Sequence, residues 1–164
     1  MENRVNIEAA QPKAYRAMFA LDGYLATTQL TDKQKDMIKI RASQINKCAF
    51  CINLHTEDAV KHGETLQRIF LLGAWNETNL FTEEEKAILA ITEEVTLIAN
   101  HGLSDETYKK AAQLFDEAFI AQIIMAVATI NAWNRIAVST NMGFNVKPHT
   151  PTNGVKVDAT MKVN

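Results

Sequence analysis

The chain has 164 residues, of which 47% are hydrophobic and 22% charged, a length and balance suited to one globular domain with a single core. A formal net charge of -2 gives no electrostatic case for nucleic acid or an anionic membrane as partner. The opening residues Met1 to Asn6 carry no apolar segment followed by a small-residue cleavage site, so a cytoplasmic location is expected.

Helix punctuation recurs along the chain. Pro12 suits the first turn of a helix running through Tyr15, Met18, Phe19 and Tyr24. Thr31 with Gln34, and Thr82 with Glu85, form capping-box patterns, each ahead of an apolar-periodic stretch. One helix is expected to end near Gln44 to Lys47 and the next to begin about Cys48, with Gly63 and Gly102 as stops further on. The run Glu83 to Glu85 reads as a solvated first turn that complements the helix dipole.

Ser104 can cap a further helix, with Leu103 and Tyr108 at the spacing of a hydrophobic staple. Asp116 can start the last long helix, whose stripe of Phe119, Ile120, Ile123, Val127, Ile130 and Ile136 follows a period near 3.6. The most apolar stretch, Phe119 to Ile130, is interrupted by Gln122 and reads as too short and mixed to span a bilayer. No segment alternates at period 2 for long enough to suggest a buried strand. The expected fold is therefore all-α, about six to eight helices over residues 1–142. Residues 143–164, with Pro148, Pro151 and Gly154, predict an irregular tail.

Both cysteines lie in the run Cys48-Ala-Phe-Cys51-Ile-Asn-Leu-His55. On a helix these three side chains span an arc of about 60°, which presents two thiols and a base together. In a reducing compartment a disulfide is usually transient and catalytic, so the pair reads as a redox site. A helix start at Cys48 favours a thiolate there, while His55 stands one turn from Cys51 and can take its proton. Spacing leaves open which sulfur attacks first. Two other readings stand beside this one: core filling by buried cysteines, and zinc, which would need a fourth ligand beyond the local three.

Outside that run, His62 and His101 each precede a glycine and read as helix-end residues interacting with the dipole. Trp75 and Trp133 read as core or interface anchors, and Asn131, Asn134 and Arg135 as residues that either order a subunit interface, the preferred reading, or line the active-site pocket. Asp36 reads on its own as a solvated dipole partner near a helix start.

The stretch Asp36-Met-Ile-Lys-Ile-Arg-Ala-Ser-Gln-Ile-Asn-Lys-Cys-Ala-Phe-Cys-Ile-Asn-Leu-His55, continued by Asp58-Ala-Val-Lys-His-Gly-Glu64, resembles the core of the AhpD-like alkylhydroperoxidases in the carboxymuconolactone decarboxylase family. Gly73-Ala-Trp75 and Ile130-Asn-Ala-Trp-Asn-Arg135 resemble its peroxidase-related branch. The resemblance implies a helical subunit of a trimer or hexamer that reduces peroxides with its paired cysteines. It further implies that Cys51 is the peroxidatic cysteine, that Cys48 resolves it, and that His55 and Asp36 serve the proton relay. Asp36 stands where the family motif has a glutamate, and Phe50 where the best-studied members have a histidine.

The resemblance implies a reductant that is a lipoyl-bearing or thioredoxin-like protein, with a peroxiredoxin as a downstream electron acceptor. No cofactor or resident metal is expected. Two other functions compete with the peroxidase: decarboxylation of a carboxymuconolactone, and a non-catalytic redox-sensing module.

Overall fold

Two capping boxes fix the starts of two central helices. Thr31 accepts a hydrogen bond from the Gln34 N–H and Gln34 reciprocates, opening a helix at Asp32–Ile45; Thr82 and Glu85 do the same for Glu83–Thr96. In a computed structural model that describes Glu2 and residues 4–144, the described chain forms eight α-helices and no strand, as the helix punctuation predicts. They are α1 (Ile7–Ala10), α2 (Pro12–Leu25), α3 (Asp32–Ile45), α4 (Ala49–Lys61), α5 (Leu66–Leu71), α6 (Glu83–Thr96), α7 (Asp105–Ala111) and α8 (Glu117–Thr140). A 3-10 turn, Leu72–Glu77, follows α5. The expected irregular tail lies, from residue 145 onward, outside the described residues.

Pro12, Ser104 and Asp116 stand at helix starts as anticipated. Gly63 follows the end of α4 at φ +80°, a left-handed residue that lets the Glu64 N–H reach back 2.8 Å to the Ala59 carbonyl. Gly102 does not stop a helix: α6 already ends at Thr96.

α3 is buried on two sides. Ile38 and Ala42 join a core cluster with Ile88, Ile91, Ile123 and Val127, while Met37 and Ile40 join a second one with Ile69, Leu72 and Leu89. Each large aliphatic side chain removed from water in this way contributes about 1.5–3 kcal/mol. α3 packs on α4, α6 and α8, and α8 also meets α2, α4 and α6.

By length and composition alone α8, at 24 residues, is long and apolar enough to cross a membrane, although the shorter Phe119–Ile130 stretch within it is not. Its position speaks differently: 44% of its most apolar window is buried inside the fold. Polar side chains also face the interior. Asn46, just past the end of α3, donates from Nδ2 to Asn131 Oδ1 at 3.0 Å and to Asn134 Oδ1 at 2.9 Å. Asn131 donates to Thr96 Oγ1 at 3.1 Å, and Asn134 to Ser43 Oγ at 3.0 Å. Both asparagines are therefore engaged inside the subunit, which corrects their assignment to a subunit interface.

Asn134 is 1% exposed, so its amide oxygen has no route to solvent if the Asn46 donor is lost. Asn46→Ala is expected to destabilise the fold by about 1–3 kcal/mol, read as a lower urea midpoint at unchanged slope.

Candidate active site

α3 and α4 form an antiparallel hairpin around a turn at Asn46 and Lys47, where Lys47 takes φ 56°. Its left-handed backbone turns the chain so that Cys48 becomes the N-cap of α4. The Cys48 N–H donates to the Ser43 carbonyl at 2.9 Å, and the Cys48 sulfur accepts from the Cys51 N–H at 3.3 Å. Cys48 and Cys51 are joined as a disulfide, with Cα atoms 5.4 Å apart. Both are buried in the larger core cluster, at 1% and 3% exposure.

A cavity of about 440 Å³ runs along the face of α4. Cys51, His55 and Asp36 line it, and Cys48 lies behind in the core. One wall is aromatic: Trp133 of α8 meets Tyr15 and Phe19 of α2 at ring-centroid distances of 5.3 and 5.5 Å. The Trp133 indole N–H donates to Asp22 at 2.9 Å, so this side chain is a cavity wall rather than only a packing anchor. Phe50, between the two cysteines, adds to the apolar lining.

His55 stands one helical turn beyond Cys51, with its side chain only 13% exposed. Its Nδ1 is buried without a hydrogen bond; the nearest carboxylate, Asp58 Oδ2, is 3.7 Å away. Burial, reinforced by the Lys39 ammonium, lowers the imidazole from 6.5 to about 4, so His55 is neutral at pH 7.

Asp36 does not bond His55. Its Oδ2 lies 2.6 Å from Nδ1 of His62, the residue that ends α4. Nor is Asp36 solvated, since it is 4% exposed. Burial raises its carboxyl against the pull of His62, while the same short bond raises the His62 imidazole above its usual value. His62 also lines the cavity, contrary to its reading as a simple dipole partner. The missed signal was spacing: 51, 55, 58 and 62 differ by 4, 7 and 11, which places all four on one helical face.

The unfolded chain takes up a proton at His55 near pH 6.5, whereas the folded chain waits until about pH 4. Stability present above pH 6.5 is therefore lost as pH falls through that window. Relative to His55→Gln in the same oxidation state, the parent is expected to lose about 2–3 kcal/mol more unfolding free energy between pH 7 and pH 4.5, read from urea titrations.

Residues 12–94 match the carboxymuconolactone decarboxylase family. The uncharacterised protein YdfG of Bacillus subtilis (strain 168) is 39% identical over 139 residues, covering 85% of this chain and 95% of that one. A crystal structure from Agrobacterium tumefaciens, a protein of unknown function suggested to be the antioxidant defence protein AhpD, superposes with a TM-score of 0.86 at 36% identity, covering 89% of this chain and 100% of the other. A peroxidase-related protein from Ralstonia eutropha JMP134, described as an alkylhydroperoxidase AhpD core, shares the fold with a TM-score of 0.74 at 19% identity, over 84% of this chain and 74% of its own. A match over half the chain, and relatives this close over nearly their full length, establish that the chain belongs to the carboxymuconolactone decarboxylase family and has its AhpD-like fold.

Proposed function

We propose that the chain is a cytoplasmic thiol-dependent peroxidase that reduces hydrogen peroxide or organic hydroperoxides through a Cys48/Cys51 dithiol–disulfide cycle. The observation that carries this reading is the juxtaposition at one cavity of Cys51, bonded to Cys48 behind it, and a histidine kept neutral one turn away.

In the reduced chain His55 takes the Cys51 proton, and the thiolate attacks the distal peroxide oxygen. The O–O bond breaks, Cys51 becomes a sulfenic acid, and the alkoxide or hydroxide leaves with a proton as alcohol or water. The Cys48 thiol then displaces water from the sulfenic acid to form the disulfide. A dithiol donor, lipoyl-bearing or thioredoxin-like, reduces it by exchange and is itself oxidised. A peroxiredoxin is a further electron acceptor consistent with this chemistry.

Assembly into a trimer or hexamer is part of the proposal. The chain supports it with apolar surface: Phe70 is 77% and Leu66 59% exposed on α5. A second reading, a redox-sensing module without turnover, is favoured by one observation, the commitment of Asp36 to His62 instead of His55. Lactone decarboxylation gains nothing from two adjacent thiols.

Cys51→Ser is expected to reduce peroxide consumption to the uncatalysed rate with an unchanged circular dichroism spectrum. Cys48→Ser should accumulate a sulfenic acid on Cys51, trapped by dimedone and located by mass spectrometry. Full activity of Cys51→Ser would sink the proposal, and stoichiometric oxidation without turnover by any dithiol would favour the sensor.

A further inference from the structure

Asp36, the carboxylate that family resemblance links to His55, is bonded to His62 instead. His55 Nδ1 is left buried with no hydrogen-bond partner among the described residues, a costly state for a ring nitrogen unless some group reaches it. One group is placed to do so. Asp58 follows His55 by three residues on the same face of α4, and its Oδ2 lies 3.7 Å from Nδ1. The other carboxylate oxygen, Oδ1, accepts from the exposed Lys61 at 2.9 Å, so the lysine does not take up Oδ2.

We infer that Asp58 is the positioning carboxylate of this site: its Oδ2 closes on Nδ1–H of His55, turns Nε2 toward Cys51, and stabilises the imidazolium that forms when the thiol proton arrives. Its use in turnover rests on the proposed function; the pairing with His55 does not. The motion is small. The gap exceeds a hydrogen bond by more than about 0.5 Å. The terminal torsion of an aspartate is broad, so rotation of the carboxylate closes that gap on a fixed helix backbone.

The charges around the imidazole make this partner necessary. Burial and the Lys39 ammonium of α3 hold it to about 4, and Asp58 acts in the opposite direction. Lys39 itself stands among Asp32, Asp36 and Asp58 and acts on all three. The other carboxylates that line the cavity have partners of their own: Asp32 pairs with Lys35, Asp36 with His62, and Asp22 of α2 accepts from the Trp133 indole of α8. In the transfer the Cys51 S–H bond breaks, Nε2 receives the proton, and Nδ1 keeps its own while sharing it with Asp58. The imidazolium then returns a proton to the departing alkoxide or hydroxide.

The test uses the full chain. Long-range proton–nitrogen spectra of the disulfide form at pH 7 read the His55 tautomer. The parent, Lys61→Gln and Asp58→Glu are expected to carry the proton on Nδ1, and Asp58→Ala to lose that preference. In reduced Cys48→Ser, alkylation of Cys51 by iodoacetamide at pH 7 is expected to slow about tenfold when Asp58→Ala is added and to recover with Asp58→Glu. The direction discriminates, because a bystander carboxylate opposes a nearby thiolate and its removal would speed alkylation. With His55→Gln already present, Asp58→Ala should no longer slow the reaction. An Nε2–H tautomer in the parent, an alkylation rate that holds or rises in Asp58→Ala, or the same slowing on the His55→Gln background would overturn the role of Asp58. Consumption of cumene hydroperoxide by the reduced parent is scored separately. Slower alkylation in Asp58→Ala without consumption by the parent upholds the pairing and rejects the peroxidase. Turnover by the parent, with alkylation unchanged in Asp58→Ala, does the reverse.

Discussion

The geometry of the cavity depends on a small polar clamp set in an apolar interior. Asn46 leaves the end of α3 and bonds two asparagines of α8 at once, while Asn134 returns a bond to Ser43 on α3. Aliphatic packing alone tolerates sliding of one helix past another, because a leucine or isoleucine has no directional partner. Amides with fixed donors and acceptors do not tolerate it. The clamp therefore fixes the register of α8 against the α3–α4 turn. The dithiol begins two residues beyond Asn46, and the aromatic wall begins at Trp133, between the two clamped asparagines.

Electrostatics then divide the face of α4 into unlike halves. Near the cysteines, His55 is buried and beside a lysine, and its charge is suppressed. Seven residues on, His62 is open to solvent and held by a buried carboxylate, and its charge is favoured. One residue type thus supplies a neutral base and a cation on the same helix surface, and environment alone separates them. The carboxylate that family resemblance links to His55 serves instead to anchor the end of α4 to the start of α3. Lys33 adds a second tie there, donating to the Gly63 carbonyl at 3.0 Å.

Elements that declare themselves locally were readable in the sequence. The caps at Thr31, Thr82, Ser104 and Asp116 satisfy orphan N–H groups with a residue three positions away, so both halves of each signal sit in one short window. The dithiol run was legible for the same reason. The pairings that complete the site were not, because their partners are far apart in the chain: Asp36 with His62, Asn46 with Asn134, Asp22 with Trp133. Asp36 was assigned by resemblance to His55, and only three-dimensional proximity reveals the competing imidazole. The shortest helices, α1 and α5, carry too little periodicity to stand out, although Thr65 caps α5 in the usual way.

The sulfur of Cys48 has two occupations: it shares a bond with Cys51, and it is the acceptor that closes the first turn of α4. Replacements at this position therefore do not form a single class. Serine keeps an acceptor at the start of the helix and removes only the thiol, whereas alanine removes both. An inactive alanine variant would mix lost reactivity with a frayed helix end, directly beneath the residues that line the cavity. The chemistry of Cys48 can be separated from its architecture only by a substitution that leaves the turn closed.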